Sequence, residues 1–110
     1  MKILIKIWRF IMARQYSDSN LKYLIQGFLM LQTPEECRNF LEDLCTESEL
    51  QEMARRLQAA KMLKNNYIYS EIAKQTGLST ATISRVNRCL KYGNDGYLTI
   101  LERLEKAERR

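Results

Sequence analysis

The sequence predicts an all-α protein built around a helix-turn-helix, and three observations carry that prediction. Its 110 residues are 45% hydrophobic and 28% charged, with only four Gly and one Pro among many Leu, Lys, Arg and Glu, a balance that favours helix over strand. Apolar residues recur at helical spacing along most of the chain. The segment from Tyr69 to Lys91 then places a small residue, a glycine and a set of apolar positions where two short helices crossing steeply need them. The length suits one domain near the lower limit for an independent core, so a partner subunit is expected to help close it.

The elements follow in order. Residues 1–18 read as an N-terminal extension or arm, and residues 19–110 as the domain. On a helix, Lys2, Lys6 and Arg9 would share one side, with Ile3, Leu4, Ile7, Trp8 and Ile11 over most of the rest. That pattern fits a basic amphipathic helix on a membrane surface. It fits better an upstream extension before a natural start at Met12, so that residues 1–11 lie outside the native protein, or a poorly packed arm. A signal peptide is disfavoured, because Lys6 and Arg9 interrupt the apolar run and no small-residue cleavage site follows. No segment approaches the roughly 20 apolar residues of a membrane span.

From Ser19, residues Leu21, Leu24, Ile25, Phe28 and Leu29 make one apolar stripe. Thr33-Pro34-Glu35-Glu36 starts a second helix, with Thr33 as cap, Pro34 in the first turn and Glu36 completing a capping box. Phe40, Leu41 and Leu44 are its apolar face. Thr46-Glu47-Ser48-Glu49 repeats the signature before the longest helix, whose inner side is expected to carry Leu50, Met53, Ala54, Leu57, Ala60 and Leu63. Asn65-Asn66 is its natural stop. Beyond the helix-turn-helix, Gly93-Asn94-Asp95-Gly96 is a turn. A last helix points Leu98, Leu101 and Leu104 inward and leaves Glu102, Arg103, Glu105 and Lys106 to solvent.

Within the helix-turn-helix, Ala73 is the small residue at the crossing and Gly77, four positions on, accepts the positive φ of the tight turn. Leu78 plugs the corner, Ser79 caps the second helix, and Ile72, Ile83 and Val86 join Leu78 as the buried contacts that fix the interhelical angle. The second helix then presents Ser79, Thr80, Thr82, Ser84, Arg85, Arg88 and, at its end, Lys91, with no acidic side chain among them. Hydroxyls and a helix N-terminus hold phosphates, and arginine bonds guanine edges in the major groove.

Charge supports the same segment. The net charge is +5, yet residues 51–92 hold eight basic groups against two acidic ones, net +6. Residues 1–50 net −1 and residues 93–110 net zero, so the entire excess lies in one stretch, as a phosphate-binding surface requires. Three cysteines without close-paired spacing and no histidine argue against a disulfide framework and a zinc site, and fit a reducing cytoplasm. With no histidine there is no Ser-His or Cys-His pair. No glycine-rich phosphate loop and no spaced carboxylate pair stands in a catalytic setting, so an enzyme is not expected.

Ser79-Thr80-Ala81-Thr82-Ile83-Ser84-Arg85, continuing to Cys89-Leu90-Lys91-Tyr92-Gly93-Asn94-Asp95, resembles the YerC/YecD branch of the Trp repressor superfamily. So do Leu41-Glu42-Asp43-Leu44-Cys45-Thr46 and Ala54-Arg55-Arg56-Leu57, and the likeness runs from about Leu21 to Glu108. The resemblance implies a six-helix subunit, intertwined with a second copy into a symmetric homodimer. It implies two reading heads in successive major grooves of a near-palindromic operator, and a repressor role. By the same resemblance, Arg56 and Arg85 match the two arginines that flank the tryptophan ligand of the true Trp repressor. The glycine that follows the second arginine there is Val86 here, and a ligand-binding serine is Cys89, a poor hydrogen-bonding partner. Tryptophan is therefore not expected as a corepressor, and no other cofactor is implied. Arg56 and Arg85 are alternatively expected to serve DNA phosphates or an acidic side chain.

The function expected is that of a homodimeric, sequence-specific, double-stranded-DNA-binding transcriptional regulator in the cytoplasm. An adaptor that uses the hairpin to bind protein or RNA is the alternative, and weak binding to DNA without sequence preference is a third.

Overall fold

The computed structural model describes residues 19–110 together with Ile5 and Ile7, so the expectations for the N-terminal stretch otherwise lie outside the described residues. Six helices run through residues 19–110: α1 (Ser19–Met30), α2 (Pro34–Leu44), α3 (Glu47–Lys64), α4 (Tyr69–Thr76), α5 (Thr80–Tyr92) and α6 (Gly96–Glu108). No strand occurs among the described residues, and the all-α class holds. Contacts divide the chain into two compact units, one ending at Leu44 and the other spanning Cys45–Arg110.

In the first unit, the turn into α2 is capped much as its sequence predicts. Thr33 Oγ1 accepts from the Glu36 amide at 3.0 Å. The Glu36 carboxylate, however, accepts from the Gln32 amide at 2.9 Å rather than from Thr33, so the return bond lands one residue early. Phe28 and Phe40 meet edge to face, ring centroids 5.2 Å apart. Here the expected core is only partly realised. Neither α1 nor α2 contains a buried residue, and Tyr23, Leu29 and Met30 are 79%, 73% and 72% exposed. The two helices instead line an apolar groove of about 650 Å³, with Tyr23, Leu24, Met30, Phe40 and Leu44 on its walls.

The second unit is organised by α3. Its start is a complete capping box: Thr46 Oγ1 accepts from the Glu49 amide at 3.2 Å, and the Glu49 carboxylate accepts from the Thr46 amide at 2.9 Å. The bond from the Thr46 amide, helped by the Thr46 hydroxyl, holds the Glu49 carboxyl below its ordinary value of 4.5. Its end falls at the expected asparagines: the Asn65 side chain donates to the Lys61 carbonyl at 2.9 Å, and Asn66 takes the left-handed conformation with φ 67°.

Between these ends α3 buries two faces rather than one stripe. Ala59 and Met62 join Ile72, Leu78 and Ile83 in one cluster. Ala60 joins Val86 and Leu101 in a second, with Leu57, Leu63 and Tyr97 packed around it. Of the inner side expected from sequence, Ala60 is fully buried and Leu50, Leu57 and Leu63 partly so, but Met53 and Ala54 are exposed. A helix packed on two sides has no single apolar period, which is why Ala59 and Met62 escape a one-stripe reading.

Helix α6 packs on α3 through Leu101, while Leu98 is half-buried and Leu104 is 43% exposed beside an apolar depression that Ala54, Leu57 and Leu101 also line. Glu105 is not left to solvent. It accepts from the Lys64 ammonium at 2.9 Å with both side chains half-buried, and that bond holds its carboxyl below the usual 4.5. Lys61 and Glu108 form a longer pair at 3.9 Å.

Ile72 and Ile83 are the largest side chains that are fully enclosed. Ile83→Ala is expected to lower unfolding stability by about 2–5 kcal/mol, whereas alanine at exposed Lys74 changes it by no more than about 0.5 kcal/mol. Denaturant unfolding of the two variants checks this ordering. Glu49 and Glu105 both have depressed carboxyl values in the folded chain, so the stability they lend is complete above their unfolded value of 4.5 and is lost as pH falls through the lower folded values. Melting followed from about pH 6 to about pH 3 should show a falling midpoint, and a Glu49→Gln, Glu105→Gln double variant, which has neither titrating carboxyl, should show a shallower fall.

Candidate nucleic-acid interface

The helix-turn-helix is assembled from α4, a three-residue turn and α5. Gly77 closes α4 in the left-handed conformation, φ 75° and ψ 6°, and its amide donates to the Ala73 carbonyl at 2.9 Å. A methyl group at Gly77 would meet nothing within 4 Å, so the demand for glycine is conformational and not steric. Ala73 is half-buried against the Ile72, Leu78 and Ile83 cluster, at the crossing where a small side chain is required. Val86 lies 2% exposed in the neighbouring cluster.

Thr76 is a structural residue that pattern reading did not single out. It is 5% exposed; its hydroxyl donates to the Ile72 carbonyl at 2.7 Å and accepts from the Leu78 amide at 3.2 Å. The side chain thereby ties the last turn of α4 to the residue that plugs the corner. The sequence signal is modest: a hydroxyl residue just before the turn glycine, able to bond backward along its own helix.

Helix α5 opens with Ser79 as N-cap, its Oγ accepting from the Thr82 amide at 3.1 Å and donating to Thr82 Oγ1 at 3.0 Å. Two of the hydroxyls expected at the interface are thus engaged with each other, which sets the start of the helix. The others are open. Thr80, Ser84, Arg85, Arg88 and Lys91 are all exposed, and at 100° per residue they fall with Ala81 and Tyr92 inside one arc of about 140°. The opposite side of α5 carries Ile83 and Val86 into the two clusters.

Spatial pairing redistributes the charge of the basic segment. Lys61, Lys64 and Arg56 face Glu108, Glu105 and Glu52 respectively. Among the described residues, Lys74, Arg85, Arg88 and Lys91 make no ion pair, and α5 contains no acidic residue. Of the segment's eight cations, the five without an ion pair among the described residues are these four, all on the helix-turn-helix, and Arg55, which is exposed on α3. Arg56 is not on that arc. It belongs to α3, one guanidinium nitrogen 3.4 Å from the Glu52 carboxylate and its Nε buried without an acceptor among the described residues. No group of histidine, cysteine, aspartate or glutamate among the described residues is arranged to hold a metal, and none of the described helices is long and apolar enough to cross a membrane.

Comparison with known proteins bears on the same residues. Residues 19–105 match the Trp repressor protein family. The chain is 49% identical over 88 residues to the uncharacterized protein YerC of Bacillus subtilis, covering 80% of this chain and 85% of that one. A TrpR-like protein from Eubacterium eligens superposes with a TM-score of 0.79 at 44% identity, over 84% of this chain and 95% of the other. A candidate Trp repressor from Staphylococcus aureus gives 0.76 at 48% identity, over 80% and 88%. With five helices and all but the last turn of the sixth inside that match, the chain belongs to the Trp repressor family.

Proposed function

We propose that the chain is a DNA-binding transcriptional regulator of the repressor type, acting as a homodimer in the cytoplasm. The observation that carries this reading is the exposed arc of α5, where hydroxyls and unpaired cations share one face and no carboxylate interrupts them. An α-helix with that face fits the major groove, with arginines on base edges and phosphates, and short hydroxyls and Lys91 on the backbone. The family's name and its candidate repressor member point the same way. Two such heads related by a two-fold axis would address a near-palindromic operator.

The apolar surface of α1 and α2 supports the dimer. A chain that leaves Tyr23, Leu29 and Met30 largely exposed around an apolar groove has surface that a second copy would cover. Tryptophan is read as unnecessary for binding. Val86 projects its branched side chain into the Ala60 and Leu101 cluster where a glycine would leave room, and Arg56 is already engaged by Glu52.

Selection from a random duplex pool, followed by mobility shift on the selected site, tests the function. The expected consensus is two-fold symmetric, and affinity falls steeply with salt, by about 0.9 in log–log slope for each phosphate neutralised. Arg88→Ala should cost about 1–3 kcal/mol and relax the base preference, Lys91→Ala should weaken all sequences alike, and added tryptophan should leave affinity unchanged. A shift indifferent to both Arg85→Ala and Arg88→Ala overturns this reading head. For the dimer, sedimentation of the full chain should give two copies, and Met30→Glu should yield a folded monomer; a monomeric parent chain contradicts the assembly.

A further inference from the structure

On the assumption that α5 enters the major groove, we infer that Ala81 determines specificity by reading the 5-methyl group of thymine. Ala81 is exposed in the first turn of α5, inside the arc bounded by Thr80 on one side and Arg85 on the other. It contributes to neither buried cluster, so core packing does not require an apolar side chain there. Every other exposed side chain in the first two turns, from Thr80 to Arg85, carries a hydroxyl or a guanidinium. Residues near the N-terminus of a reading helix are the ones that approach base edges, and a side chain ending in a methyl has no hydrogen bond to offer them. The major-groove edge presents one apolar feature, the thymine methyl, and a short methyl side chain makes contact with it. The cap keeps this position fixed: the paired hydroxyls of Ser79 and Thr82 hold the first turn on either side of Ala81.

The chemistry separates Ala81 from Ser84 and the arginines on the arc, and the Ala81→Gly variant separates it from Thr80, whose side chain also ends in a methyl. Arginine and hydroxyl contacts do not distinguish thymine from uracil, because the two bases present the same O4 acceptor; a methyl–methyl contact does. The test is therefore thymine-to-uracil replacement, one position at a time, in the duplex selected by the full-length chain. At one thymine in each half-site, removing the methyl should weaken binding about fourfold, the value of burying one such carbon. Ala81→Gly should lose that discrimination, binding the thymine and uracil duplexes equally, whatever its absolute affinity. Ala81→Ser keeps helix propensity closer to the parent and should reduce the ratio in the same direction. Because the readout is a ratio within each variant, a general loss of stability or affinity does not imitate it. A parent chain that binds every uracil-substituted duplex as tightly as the thymine duplex overturns the inference while leaving DNA binding intact. So does an Ala81→Gly variant that retains the fourfold ratio. A pool that yields no enriched sequence overturns the DNA-binding reading itself, and this inference with it.

Discussion

Two adjacent alanines on α3 sit at the mechanical centre of the Cys45–Arg110 unit. Ala59 and Ala60 are both fully buried, although consecutive residues on a helix point about 100° apart. They can be buried together only because different elements press on α3 from two directions: Ile72, Leu78 and Ile83 over Ala59, and Val86 and Leu101 over Ala60. Single methyl groups at both positions let those elements come close. Larger side chains would push the helix-turn-helix and the C-terminal helix away from α3, since cores packed at native density do not absorb extra volume freely.

The presentation of the helix-turn-helix follows from that constraint. Helix α5 contributes to both clusters, Ile83 to one and Val86 to the other, so its rotation about its own axis is fixed by two contacts rather than one. With those two faces committed, the remaining arc is determined, and it holds the hydroxyls and cations. The turn that precedes it is fixed independently, by the left-handed Gly77 and by the Thr76 hydroxyl bonded on both sides of the corner. The ion pairs of Lys61 and Lys64 with α6 add a consequence for electrostatics. They offset two of the four cations that the basic segment places on α3, and Glu52 offsets a third, Arg56, whereas the cations of α5 have no such partner.

Much of this was legible in the residues. Ala73, Gly77, Leu78, Ile83 and Val86 each have a role that backbone geometry or packing imposes locally, and each takes the position its type and spacing predict. Thr46 and Glu49 form their box because the partners lie three residues apart in sequence. What escaped were features set by tertiary contact. The two-faced burial of α3 scrambles its apolar period, so Ala59 and Met62 were hidden and Met53 was overvalued. Glu105 reads as a solvent residue until Lys64, 41 positions earlier, is brought beside it. The stripes of α1 and α2 read correctly as apolar, but periodicity does not say whether the chain covers such a stripe by itself, and here it does not. The arc on α5 was legible as composition. Which hydroxyls are free and which are spent on the cap required the coordinates of Ser79 and Thr82.

The central claim is that the exposed arc of α5 is the surface that meets DNA, while the buried side of the same helix only holds it in place. Amide chemical-shift mapping of the full chain during titration with the selected duplex tests this residue by residue. The account predicts that the perturbations concentrate on Gly77 to Arg88, strongest at Thr80, Ala81, Ser84 and Arg85, and fade along α6. Perturbations centred on α6 or on the Lys64–Glu105 contact, with α5 unmoved, would contradict it.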